Sequence, residues 1–184
     1  MMSFQNVIVK KDLNTNVGGK SMAKVVGVGH VSFTVMDMAK SLHFYCDLLG
    51  GKLLTETVDV GPELGRYVMG DMISNPYGKL KVAMVDMAGL QIEFLQYLEP
   101  ETNTAYHRNP SIAGSAHIAV NVDDIEGVYE KLKAEGVIFH SDINDCIRDG
   151  ELVWRWVYSR DPDGCCCEIV QLNEESEYIK NARK

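Results

Sequence analysis

Gly27-Val28-Gly29-His30-Val31-Ser32-Phe33-Thr34-Val35-Met36-Asp37 returns later in the chain as Gly114-Ser115-Ala116-His117-Ile118-Ala119-Val120-Asn121-Val122-Asp123-Asp124. Both copies read Gly-x-x-His, alternate apolar with polar residues, and then reach an acid ahead of an amphipathic segment. A second phrase repeats downstream of each: Asp86-x-x-Gly89-x-x-x-Glu93-Phe94-Leu95-Gln96, then Asp161-x-x-Gly164-x-x-x-Glu168-Ile169-Val170-Gln171. Each half therefore opens on a strand carrying a His and closes on a strand carrying a Glu. Internal repetition fixes architecture ahead of any other feature, and two copies are too few for a solenoid. The pattern is that of a domain made of two paired modules.

Working outward, strict alternation from Val28 to Met36 predicts a strand. Asp37 suits the N-cap of a helix over Met38 to Leu49, since its carboxylate can accept an orphan N–H of the first turn. Gly50-Gly51 supplies the left-handed stop. Strands are expected at Lys52 to Val58, Lys79 to Val85 and Leu90 to Tyr97, with an insertion rich in Gly and Pro over Asp59 to Gly78. The second half repeats the plan. Asp123-x-x-Glu126 has the form of a capping box on a helix running to Glu135, and Gly136 ends it. Strands are expected at Val137 to Asn144, Leu152 to Ser159 and Cys165 to Leu172, with a turn at Asp161-Pro162-Asp163-Gly164. Each half is thus βαβββ, an α+β arrangement. The chain divides into an N-terminal extension over 1–24, a first module over 25–99, a linker over 100–113, a second module over 114–172 and a charged tail over 173–184. In the extension, Phe4 to Val9 carries the pattern of an edge strand; Gly19-Lys20-Ser21 lacks the earlier Gly of a phosphate loop.

Composition narrows the partners. The 184 residues suit one domain or two small modules with a common core. A formal charge of −8 opposes nonspecific binding to a nucleic acid polyanion. No apolar run approaches the roughly 18 residues of a membrane span, and without a long apolar block over Met1 to Ala23 a secretory signal is not expected. Five Cys, three of them consecutive at Cys165, Cys166 and Cys167, make a disulfide framework improbable and point to a reducing cytoplasm.

Alternation also decides where polar residues point. Val31, Phe33 and Val35 must face the helix, so His30 faces away; Ile118, Val120 and Val122 place His117 likewise. Leu90, Ile92 and Phe94 oppose Glu93, and Cys165, Cys167 and Ile169 oppose Glu168. Two imidazoles and two carboxylates on the faces away from the helices have the composition of a divalent metal site for Ni, Co, Mn, Zn or Fe. Any one His alone reads as an ordinary surface or core residue; four donors at equivalent places of a repeat do not. Cys166 shares the face of Glu168, where a small buried hydrophobe is the simpler reading than a ligand. Trp154, Trp156 and Tyr158 alternate as a core stripe or a pocket wall would. Arg66, Arg108, Arg148 and Arg155 are candidates to clamp an anionic substrate, with solvated surface charge as the plainer reading for most of them. His43, His107 and His140 have no assigned role.

The sequence resembles the vicinal oxygen chelate superfamily from about Val25 to Leu172. The resemblance rests on His30 with the run Phe33 to Gly50, on Glu93, on His117 with Val122-Asp123-Asp124-Ile125, and on Tyr158-Ser159-Arg160-Asp161-Pro162-Asp163-Gly164 leading to Glu168. It implies that the paired βαβββ modules form a U-shaped cup of mixed and antiparallel sheet, helices outside and one divalent metal inside. It implies His30, Glu93, His117 and Glu168 as metal ligands, with Glu93 or Glu168 as the catalytic base. The filled quartet resembles the glyoxalase I and acyl-CoA epimerase members, which are lyases and isomerases acting on a small molecule with adjacent oxygen donors. Two alternatives remain: an Fe(II) extradiol dioxygenase, whose active-site Tyr would match Tyr158, and a non-catalytic drug-sequestering protein. By the same resemblance a homodimer is expected, and the modules can pair within one chain or between two.

Overall fold

The computed structural model describes residues 23–55, 58–60, 79–99 and 109–183. The expected edge strand at Phe4 to Val9 and most of the insertion and linker lie outside them. The first half builds a mixed sheet from β1 (Val31–Thr34), β2 (Lys52–Leu53), β3 (Val58–Val60), β4 (Leu80–Met87) and β5 (Leu90–Tyr97). Its order is β1-β5-β4-β2, and β3 also pairs with β4. The second half has β6 (His117–Asn121), β7 (Asn144–Arg148), β8 (Glu151–Arg160) and β9 (Cys166–Leu172), in the order β6-β9-β8-β7. The strand that follows His30 runs parallel to the one that carries Glu93, the strand that begins with His117 runs parallel to the one that carries Glu168, and the remaining pairs are antiparallel. The two βαβββ units of the repeat are therefore present.

Asp37 caps as expected, accepting from the amides of Ala39 at 3.0 Å and Lys40 at 3.3 Å. The helix it starts is α-helical only over α1 (Met38–Leu42); His43–Leu48 winds as a π-helix. That wider winding seats Tyr45, fully buried, against the rings of Phe33, Phe44 and Phe94. The two glycines that follow do different work. Gly50 takes φ +80, while at Gly51 a Cβ would stand 2.7 Å from the Tyr45 carbonyl oxygen and 2.8 Å from Val85.

Other boundaries shift for identifiable reasons. The expected strand Lys52 to Val58 is split, because more residues separate Leu53 from Val58 than separate their partners Val85 and Val82 on β4. A ladder cannot absorb that excess without a bulge. The expected strand Val137 to Asn144 is not a strand: Phe139 makes one isolated bridge to Ser159, and the paired segment is β7, further along. β7 joins β8 through Asp149 at φ 50 and Gly150 at φ 83, the two positive angles of a tight hairpin turn. The second helix, α2 (Ile125–Ala134), is capped by Asp124, which accepts from the Gly127 amide at 3.0 Å. The capping box on Asp123 does not form, since Glu126 is held by Arg155. The tail forms a short helix, α3 (Glu177–Ala182), capped by Ser176. No helix among the described residues is long and apolar enough to cross a membrane.

The two halves share one interior. Val35, Phe44, Tyr45, Ile92 and Phe94 from the first and Ile125, Leu132, Val157, Cys167 and Ile169 from the second belong to a single buried cluster. The seam is polar at one end. Asp163 accepts the Met36 amide at 2.9 Å and the Ser41 hydroxyl at 3.3 Å, and Asp161 accepts the Tyr45 hydroxyl at 3.0 Å. Lys131 of α2 donates to the carbonyls of Asp47 and Leu48, both at 2.9 Å, at the end of the first helical segment, where a cation is favoured. The helical sides of both halves thus meet each other, and the opposite sheet faces point out of this shared core.

Candidate metal centre

Alternation delivers the four donors as the pattern requires. Ile92 and Phe94 flank Glu93 and are fully buried in the core; Cys167 and Ile169 flank Glu168 in the same way. In the register β1–β5, Ser32 faces Glu93; in β6–β9, Ala119 faces Glu168. The His, two residues before Ser32 and two before Ala119, just ahead of β1 and at the start of β6, then lies diagonally beside the Glu on the outward face. His30 Nε2 stands 3.5 Å from Glu93 Oε2, and His117 Nε2 stands 3.2 Å from Glu168 Oε2. The side chains have the same graded exposure in both halves: 45% and 22% in the first pair, 47% and 17% in the second.

These separations test the fit to a metal. Two donors bound at roughly 2.0–2.2 Å and about at right angles on one ion stand about 3 Å apart. Each pair is therefore spaced as two neighbouring ligands would be, and the donor set, one imidazole and one carboxylate, suits a borderline divalent ion. The two pairs do not meet within one chain. Among the described residues no group of three or more His, Cys, Asp or Glu is placed to hold a single ion. One chain presents two matching His–Glu pairs on two outward faces.

The surroundings of the pairs differ. Across β8–β9, Tyr158 faces Glu168, and its ring stands edge-on to His117 with centroids 5.7 Å apart. Burial, the Glu168 charge and a hydrogen bond to Glu168 hold the Tyr158 phenol above its ordinary range. Across β4–β5 the residue facing Glu93 is Met84, which has no proton to donate. Cys166 faces His117 in the β6–β9 register. Burial, followed by the charge of Glu168, raises its thiol, while burial pushes Cys165 to about 11 and Cys167 to about 12. Protonated thiols are poor nucleophiles and poor ligands.

The remaining candidates divide. Arg155 is on the core side of β8, where its charge is already paired with Glu126 and with Asp145, the latter at 2.8 Å. Arg148 lies over the rings of Trp154 and Tyr178. His43 pairs with Asp47 one turn on, at 2.8 Å, and His140 donates its amide to the Tyr158 carbonyl. Arg66, His107 and Arg108 lie outside the described residues. A cleft of about 590 Å³ opens at the far end of the second sheet beside Asn121, Trp154, Leu172 and Arg183, and includes neither His–Glu pair. Sequence reasoning missed the inter-module work of Asp161 and Asp163, whose only signal was a local turn motif.

Comparison with known proteins agrees with this architecture. The model of the Glyoxalase/Bleomycin resistance protein/Dioxygenase superfamily matches residues 27–169. A 2-epi-5-epi-valiolone epimerase from Actinomyces sp. is 26% identical over 156 residues, covering 84% of each chain. A lactoylglutathione lyase from Pseudomonas putida is 29% identical over 170 residues, covering 87% of this chain and 95% of that one. The crystal structure of a glyoxalase family protein from Bacillus cereus superimposes with a TM-score of 0.71 at 18% identity, covering 83% of this chain and 98% of that one.

Proposed function

This chain belongs to the Glyoxalase/Bleomycin resistance protein/Dioxygenase superfamily, and we propose that it is a divalent-metal enzyme of the glyoxalase or epimerase type, its metal held by His30, Glu93, His117 and Glu168. The observation that carries the reading is the pair of equivalent His–Glu couples at 3.5 and 3.2 Å, one from each half of a duplicated chain. A pair alone supplies two ligands. The first half of one protomer meeting the second half of its partner would supply four, and two-fold symmetry would make two such centres.

Ni, Co, Mn, Zn or Fe bound there would supply Lewis acidity toward a substrate with two neighbouring oxygens. The rest is done by side chains. The imidazoles of His30 and His117 fix the geometry. A carboxylate, Glu93 or Glu168, removes the proton α to a carbonyl: the C–H bond breaks, an O–H bond forms, and the electron pair delocalises onto the carbonyl oxygen as an enolate. Delivery of a proton to the opposite face of the same carbon by the other carboxylate, with the carbonyl re-forming, epimerises it. Where the α-carbon bears a hydroxyl, its O–H proton passes to the enolate oxygen, the first carboxylate gives its proton to the former carbonyl carbon, and the α-carbon becomes the carbonyl, which isomerises the substrate. The two curated relatives, named as an epimerase and a lyase, support this class over an oxygenase.

A mixing experiment tests the reading. A His30→Ala/Glu93→Ala chain and a His117→Ala/Glu168→Ala chain each lack one half-set. Refolded together, they are expected to regain tight Zn²⁺ uptake by calorimetry, since mixed dimers hold one intact quartet. Mixtures that bind no better than either variant alone would refute assembly between chains; wild-type protein that takes up no ion would refute the metal.

A further inference from the structure

Strand β8 places alternate residues on opposite sides of the second sheet. Val153 and Val157 enter the core and are buried. Trp154, Trp156 and Tyr158 face Leu172, Val170 and Glu168 across β9, and cross-strand partners share a face. The three aromatics are therefore on the side of the His117–Glu168 pair, where they are half-buried. Trp154 and Trp156 are 6.5 Å apart between ring centroids, and Tyr158 touches His117. The corresponding strand of the first half, β4, has Leu80, Val82 and Met84 along the Glu93 face. The duplication has diverged, so that β8 carries aromatic side chains where β4 carries aliphatic ones.

Large apolar rings on an outward sheet face mark a binding surface. Here the strip is continuous with the proposed centre. At about 3.3 Å per residue, Trp156 lies about 7 Å and Trp154 about 13 Å along the strand from Tyr158. A ligand no bigger than its chelating group would end before Trp156; a ring substituent on that group would lie on the indole faces.

We propose that Trp154, Trp156 and Tyr158 form an aromatic wall that binds the ring-bearing body of the substrate, which is an α-hydroxy or α-keto compound with a cyclic substituent. The proposal rests on the functional reading above for the position of the chelating oxygens. It names the residues that choose the substrate, and it places the choice in the second half of the chain.

The chain contains two tryptophans, and both are in this wall, so indole emission reports on it alone. The test uses full-length protein with and without Zn²⁺ and three α-hydroxy acids that share one chelating group: lactate, hexahydromandelate and mandelate. The two ring-bearing acids are expected to change the emission and to bind about tenfold more tightly than lactate. Trp156→Ala, with its far-UV circular dichroism spectrum unchanged as the sign that it is folded, is expected to lower the affinity for both ring-bearing acids about tenfold, to that for lactate, and Trp156→Phe to retain the preference. Equal affinities for the three acids, or a preference that survives in both Trp154→Ala and Trp156→Ala, overturns the proposal. So does emission indifferent to every acid in a dimer that dissociates on Trp156→Ala, which would make the strip a subunit contact. Protein that takes up no Zn²⁺ yet still separates ring-bearing acids from lactate by emission keeps the wall and refutes the metal reading.

Discussion

Replacing Asp163 with alanine should loosen the seam between the two halves. Asp163 is buried at the end of the inter-module contact and accepts the Met36 amide at 2.9 Å and the Ser41 hydroxyl at 3.3 Å. The losses are unequal. Ser41 also donates to the Asp37 carbonyl at 3.2 Å and so keeps a partner. The Met36 amide, partly buried, loses a bond to a carboxylate, worth about 1.5–3 kcal/mol. Part of that is recovered because a carboxylate no longer has to be buried, leaving about 2 kcal/mol for Asp163→Ala. For a chain of this size each kcal/mol shifts the midpoint by roughly 2–4 °C, so unfolding should begin about 4–8 °C lower. Asp163→Asn keeps a carbonyl for Met36 and should lose about half as much. Thermal unfolding by circular dichroism gives the magnitude, and hydrogen exchange at the Met36 amide gives the location. Wild-type unfolding in Asp163→Ala, with Met36 still protected, would refute the claim that this turn couples the halves.

Three further outcomes are expected. Gly51→Ala should destabilise by about 1–3 kcal/mol, because its Cβ meets the backbone at Tyr45, whereas Gly50→Ala should cost about 1–2 kcal/mol from its positive φ alone; chemical denaturation ranks the two. Burial raises the Asp161 carboxyl above its ordinary value. Its contribution to stability is therefore full below the unfolded carboxylate range and is lost as pH rises through the raised folded value, so the stability of wild type relative to Asp161→Asn should fall across that window and stay flat above it, as midpoints measured at several pH values will show. Glu93→Gln should cut turnover by at least about a hundredfold if Glu93 is ligand or base, which a proton-exchange assay by NMR on the substrate would measure; full activity removes it from both roles.

The repeat was legible because its residues are set by different demands at the same spacing. Core packing fixes Ile92, Phe94, Cys167 and Ile169, and the period of two then sends Glu93 and Glu168 the other way. The helix stops were legible too: Gly50 and Gly136 do take positive φ. What failed was local competition. Val137 to Phe139 has the apolar character of a strand, yet Ile138 is exposed and the Asp149-Gly150 turn sets the hairpin register instead. Asp123 and Asp124 are equally good caps by composition, and the capture of Glu126 by Arg155 from a distant strand removes the reason to prefer the first. The π-winding of His43–Leu48 and the reach of Asp163 to Met36 are tertiary outcomes, for which neighbouring residues hold no sign.

The seam and the two His–Glu pairs are consequences of one packing choice. The helical side of each half packs into the shared core, and the sheet faces that carry His30–Glu93 and His117–Glu168 are turned away from it. If each pair acted alone, a chain would bind ions weakly at two sites, with the same affinity at every protein concentration. If a first half of one protomer meets a second half of another, metal binding and dimerisation become a single linked equilibrium. Apparent affinity for Zn²⁺ must then fall as the protein is diluted through its dimerisation constant, and added Zn²⁺ must shift the protein from monomer to dimer at fixed concentration. The stoichiometry also differs, one ion per chain in the joined form against two in the separate form. A metal affinity independent of protein concentration, with two ions per chain, would leave the duplicated pairs as separate surface sites and would take the single reaction centre away from this fold.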